Sequence, residues 1–309
     1  MNPRLARGIY ADNIANGDRV APYDGADVAK MRAMGFTYVA IPVDPDHLQD
    51  PAAVARLDTA LAMFHAGGFA LSLLLAPALS TYALGVIKSQ SAITTAAQTL
   101  AARYAPLYGP QDLFFDILDE PHYNQTEWNA FAPGLLAVYR ASAPFHTLIV
   151  QPGHGGHPDQ FATFTPLNDL NIVYAFHVYV PAPLVVQGQG APVNPAYLFP
   201  APPGVPGSSG MKSYAWLAAY IQQGVDWGVA HKLPVIMNAF GCSDKADRQS
   251  RINWTRFVRE TCERAGLGWA WWSWDSRHNG IRHHLKEVPT QGLYDLDLVQ
   301  LLSTGAPHV

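Results

Sequence analysis

Short apolar runs alternate along this chain with longer stretches in which apolar residues return every three or four positions. The runs are RGIYAD (7–12), FTYVAIPV (36–43), FALSLLLAP (69–77), LFFDILDEP (113–121), HTLIVQPG (146–153), IVYAFHVYVP (172–181), LPVIMNAFG (233–241) and LGWAWWSWD (267–275). Several are apolar almost throughout, as expected of parallel strands covered on both faces. Between them, GADVAKMRAMG places Val28, Met31 and Met34 on one helical face. The stretch 51–68 opens with a proline and closes with Gly-Gly, and 247–266 ends in Arg264 and Gly266, which are helix start and stop signals. The stretches 126–143 and 211–232 have the same helical character.

Eight strand candidates separated by helices predict a single-domain α/β fold, a (β/α)8 TIM barrel over 1–309. A doubly wound open sheet needs a glycine-rich phosphate turn after its first strand, and none is present. The Pro- and Gly-rich segment 181–210 interrupts the alternation. It is too long for an idle connection and is expected to be the loop from the sixth strand to the next helix, rimming the mouth.

Composition narrows the function. Of 309 residues, 49% are hydrophobic and 14% charged, enough apolar content for a large core, and the net charge of −4 gives no basic footprint for nucleic acid or anionic lipid. Eight tryptophans fit either a big core or a stacking groove. Cys242 and Cys262 define no disulfide framework, and pairing between them is not expected. No secretory signal and no run long enough to span a membrane is evident, so the chain reads as soluble, and a monomer is the default expectation for a barrel of this class. No cofactor and no metal ligand set is nominated by spacing.

In such barrels the working residues stand at the C-terminal strand ends. Those ends carry Ala40, Ala76, Asp119, Glu120, His177, Tyr179, Ala239, Trp272 and Trp274. Glu120 before Pro121 offers a carboxylate, and Tyr179, Trp272 and Trp274 offer a wall on which a flat ring or a sugar stacks. His154 and His157 in GHGGH, and the RHNGIRHH stretch (277–284), read as rim. Asn124-Gln125-Thr126 matches the glycosylation pattern.

The ordered set GFTYVAIPV, DILDEPH, FHVYVP, PVIMNAFG and GWAWWSW resembles glycoside hydrolase family 5, the retaining cellulase and endoglucanase type, over nearly the whole chain. The resemblance implies a secreted parent family and a glucan, mannan or xyloglucan substrate. It also implies Glu120 as general acid/base, His177 and Tyr179 as the strand-six pair, and Trp272 as the sugar platform. Four positions depart from it. Ala40 stands where the family has Arg, Ala76 where it has His, Asp119 where it has Asn, and Ala239 where it has the nucleophilic Glu.

Retaining hydrolysis needs two carboxyl groups about 5–5.5 Å apart. Ala239 supplies none, and an inverting route needs a carboxylate base that the sequence does not nominate. Three alanines beside a retained Glu120 and a new Asp119 are expected of a redesigned site. Its chemistry would be proton abstraction from a flat carbon acid, of the Kemp-elimination type, with a carboxylate as general base. The alternatives are an inactive variant of a β-glucan hydrolase and a glycan-binding pseudoenzyme. The expected ligand is accordingly a small molecule or an oligosaccharide in the barrel mouth.

Overall fold

The structure is a computed structural model and describes residues 2–12, 14, 23–77, 89–189, 191–205, 207–276, 278–282 and 294–303. Eight parallel strands close into a barrel in sequence order. They are β1 Arg7–Tyr10, β2 Tyr38–Val43, β3 Ala70–Leu75, β4 Leu113–Asp116, β5 Leu148–Val150, β6 Ile172–Val178, β7 Val235–Phe240 and β8 Trp269–Trp271. Each expected strand is present, several of them shorter than the apolar run that announces it.

The α-helices longer than one turn among the described residues are α1 Gly25–Ala33, α2 Pro51–Ala66, α3 Gln90–Tyr104, α4 Gln125–Ser142, α5 Tyr214–His231, α6 Arg248–Arg264 and α7 Leu296–Leu302. Pro51 opens α2 behind an Asp50 cap, and α6 ends before Gly266 at φ +68°. The Asn124 side chain caps α4, accepting from the Glu127 amide at 2.9 Å. The apolar pattern does not single out helix α3. Half of its buried face is alanine, with Ala96, Ala97 and Ala101 beside Ile93, Leu100 and Tyr104.

Strand alternation divides the core into two clusters. Outward side chains such as Val39, Ile41, Leu71, Leu73 and Phe115 pack under the helices. Inward ones, Tyr10, Tyr38, Ala40, Ala70, Leu74, Phe114, Ile149, Ala175, Ile236, Ala239 and Ala270, fill the barrel. Gly8 is required here, because a Cβ would lie 2.2 Å from the Tyr38 ring. Five of the eight tryptophans, Trp128, Trp254, Trp269, Trp271 and Trp274, are fully buried, so most of the tryptophan content is core.

The 185–189 part of the loop after β6 packs against the loops after β7 and β8. The Ser243 hydroxyl donates to the Gln187 carbonyl at 2.7 Å, and Gln189 donates to Asn279 at 2.9 Å. Cys242 and Cys262 are separate buried thiols. Among the described residues no helix is long and apolar enough to cross a membrane. Of the 277–284 stretch, 277, 283 and 284 lie outside the described residues.

Candidate active site

The β4 exit sets the geometry. Beyond Asp116 the chain stays tied to its neighbours, with the Ile117 amide bonded to Ile149 at 3.0 Å and the Asp119 amide to Leu75 at 2.8 Å. Glu120 then turns into the left-handed region at φ +45°. That conformation is strained for a residue with a Cβ and persists only where surrounding contacts hold it. Its amide donates to Gln151 Oε1 at 3.1 Å.

His177, on β6, reaches both carboxylates. Its Nδ1 lies 3.0 Å from Glu120 Oε1 and its Nε2 lies 3.5 Å from Asp119 Oδ1. Burial alone would lower the imidazole pKa. The Glu120 hydrogen bond and the charges of Asp119, Glu120 and Asp116 outweigh it, and the pKa is raised. The imidazole sits between two carboxylates that favour its charged form, with its side chain only 2% exposed and that of Glu120 32% exposed.

Asp119 is pushed up to about 6, chiefly by burial. The His177 charge opposes the shift, Glu120 adds to it, and the Gln151 hydrogen bond opposes it. Below its unfolded value of about 4 the group is protonated in both states, and it costs folding nothing there. The cost of burying its anion grows as pH climbs through about 6. Asp119→Asn is therefore expected to raise the melting temperature at pH 7 and to change it little near pH 4, by thermal melts at both. An equal gain at both pH values would contradict the assignment.

Gln151 and Asp116 carry weight that sequence reading missed. Gln151 Nε2 donates to Asp116 Oδ2 at 2.7 Å and to Asp119 Oδ1 at 2.9 Å, and Asn238 donates to the same Asp116 oxygen at 2.9 Å. Burial first, then the Asp119 charge, hold Asp116 well above the usual carboxylate range. Period-two alternation would have found it: Asp116 follows Phe114 on the inward face of an otherwise apolar strand.

The aromatic wall is Tyr179 and Trp272, both partly exposed, edge to face at 6.3 Å and 85°. The Tyr179 hydroxyl is held well above its usual pKa by burial and then by Glu120, Asp119 and Asp12, so it stays protonated. Trp274 is a correction. It is fully buried, and its indole donates to Asp27 Oδ1 at 2.9 Å, so it belongs to the packing of α1 and offers no face to a ligand. Residues two apart normally share a face of a strand, but β8 ends at Trp271, and alternation past that point gives no guide to direction.

Ala40 and Ala239 lie in the inner cluster with Tyr10 and Tyr38, and Tyr179 and Trp272 pack against that cluster. Ala76, at 1% exposure, follows β3. His154 is exposed, whereas His157 is half-buried with Nδ1 3.0 Å from the Tyr220 hydroxyl. Among the described residues no group of three His, Cys, Asp or Glu is arranged to hold a metal ion.

Comparison with known proteins fits this geometry. The family model for cellulase, glycosyl hydrolase family 5, matches residues 20–278. Endoglucanase 3 of Fibrobacter succinogenes is 26% identical over 217 residues, which are 60% of this chain and 32% of that protein. The chain thus spans about a third of that relative. The structure of Thermotoga maritima Cel5A in complex with cellobiose superposes with a TM-score of 0.79 at 23% identity, covering 97% of this chain and 98% of that one. The same enzyme in complex with mannotriose gives 0.76 at 23% identity, with the same coverage. At that identity the likeness is one of fold, a single-domain (β/α)8 barrel.

Proposed function

The chain belongs to glycosyl hydrolase family 5, the cellulase family, and from that premise we propose that its barrel mouth binds a β-linked oligosaccharide without cleaving it by the two-carboxylate retaining route. One observation carries the reading. The mouth has its paired carboxylate at Glu120, but the inner end of β7 offers only the buried methyl group of Ala239. No covalent glycosyl–enzyme can form there, and losing one member of such a catalytic unit costs several orders of magnitude. The wall of Trp272 and Tyr179 remains, and an aromatic face suits the apolar face of a sugar ring. The relatives seen with cellobiose and mannotriose support an oligosaccharide as the ligand class.

Calorimetry with cellotetraose tests binding, and a chromogenic aryl cellobioside tests turnover. Heat of binding without release of the aryl group is the expected outcome. A turnover rate like that of an intact glycosidase would overturn the reading, as would no binding at millimolar sugar.

A second reading has one observation in its favour. Asp119, raised to about 6 by burial, is a stronger base than an ordinary carboxylate. A redesigned mouth using it against a flat carbon acid would show a rate on a benzisoxazole rising with pH through about 6. Glu120 suits that role less, because the His177 ring already engages its carboxylate at 3.0 Å. Loss of about two orders of magnitude in Asp119→Asn would support this reading. An unchanged rate would remove it.

A further inference from the structure

The side chain of Gln151 ties together Asp119, the backbone of Glu120 and the buried acid Asp116 beneath them. It is fully buried at the end of β5. Its Nε2 hydrogens are divided between Asp119 Oδ1 and Asp116 Oδ2, and its Oε1 takes the amide of Glu120, the residue with the strained backbone. The peptide carbonyl of the same residue accepts the Trp128 indole N–H at 2.8 Å, which anchors Gln151 to α4. Space for Oε1 depends on Gly156, where a Cβ would stand only 2.5 Å away, and Gly156 sits at φ +73°.

We propose that Gln151 is the positioning residue of this mouth: its amide fixes Glu120 in the backbone conformation that meets His177 and holds the Asp119 carboxylate beside them. Each contact has a separate consequence. A donor to Asp119 favours its anion, so removing the donor moves the Asp119 titration upward. An acceptor for the Glu120 amide offsets the cost of a left-handed glutamate, so removing the acceptor lets that residue relax and takes its carboxylate away from His177. Only an amide of this length does both, because it presents two hydrogens and an oxygen at one tip. The titratable groups facing Asp119 are Asp116 and Glu120 from its own strand and exit, Tyr10 from β1, His177 from β6 and Tyr179 just after it.

The inference stands apart from whether a sugar binds, and its readouts need no ligand. In Gln151→Met, a near-isosteric change without hydrogen bonds, the Asp119 carboxyl is followed by carbon NMR, its signal assigned by its loss in Asp119→Asn. Its midpoint should rise by about one pH unit or more. The His177 imidazole, followed by nitrogen NMR, should titrate lower than in the parent as its Glu120 partner withdraws. A Gln151 whose role is only packing would move neither midpoint. Gly156→Ala is the independent variant, crowding Oε1 while leaving the amide in place, and both midpoints should move in the same directions. If either variant is folded by circular dichroism and both midpoints stay at their parent values, the proposal is overturned. With cellotetraose, a loss of binding in Gln151→Met together with the shifted midpoints links the device to the mouth's ligand. Unchanged binding alongside the shifts leaves the positioning role intact and counts against the sugar contacting Glu120.

Discussion

The variant Ala40→Arg, Ala76→His, Asp119→Asn, Ala239→Glu is expected to hydrolyse an aryl β-cellobioside about a thousandfold or more faster than Ala239→Glu alone. The reason lies in the floor of the mouth. Ala40 and Ala239 share the inner cluster with Tyr10 and Tyr38, and Asp116, Asp119 and Glu120 already crowd carboxylates beside it. A lone glutamate introduced at position 239 would enter that surrounding as one more acid, opposite His177 in the strand register. Burial and like charge would keep it protonated, and a protonated carboxyl is not a nucleophile. An arginine at position 40 supplies the missing charge, and asparagine at 119 removes a competing anion. Steady-state kinetics on the two variants and the parent check this. Equal rates for the single and fourfold variants would show that the alanines at 40 and 76 are irrelevant to the loss.

Trp272 and Trp274 of the WWSW stretch should behave oppositely. Trp274→Ala removes a fully buried side chain and strips Asp27 of the indole donor. A stability loss of about 3–5 kcal/mol is expected, read from urea unfolding. Trp272→Ala removes a partly exposed ring at the mouth, so stability should change little. Cellotetraose binding should weaken by about 1–3 kcal/mol, read by calorimetry. If Trp274→Ala weakened binding while leaving stability intact, the assignment of the two rings would be reversed.

The barrel itself was legible because its determinants are local. Apolar runs, a Pro51 start, a Gly266 stop and long amphipathic spacers each follow from backbone geometry acting over a few residues. Helix α3 escaped because alanine gives a weak periodic signal, although it packs well. At the mouth, Glu120, Asp119, His177, Tyr179 and Trp272 could be read from strand ends, since strand termini fix which side chains emerge there. Trp274 misled because β8 stops at Trp271, after which the chain leaves the regular alternation. Gln151 was invisible for a different reason. A glutamine at the end of LIVQPG looks like an ordinary strand terminus, and its worth lies in contacts to residues 116, 119 and 120, far away in sequence. Non-local hydrogen bonds of this kind leave no pattern along the chain.

The central claim, a mouth that holds a sugar it does not cleave, is tested most directly by a crystal of the protein soaked for days in cellotetraose. The expected result is an intact chain across the mouth, one ring over Trp272 and a glycosidic oxygen within hydrogen-bond reach of Glu120. Cleaved products, a sugar bonded covalently to the protein, or a mouth holding no sugar at saturating concentration would contradict it.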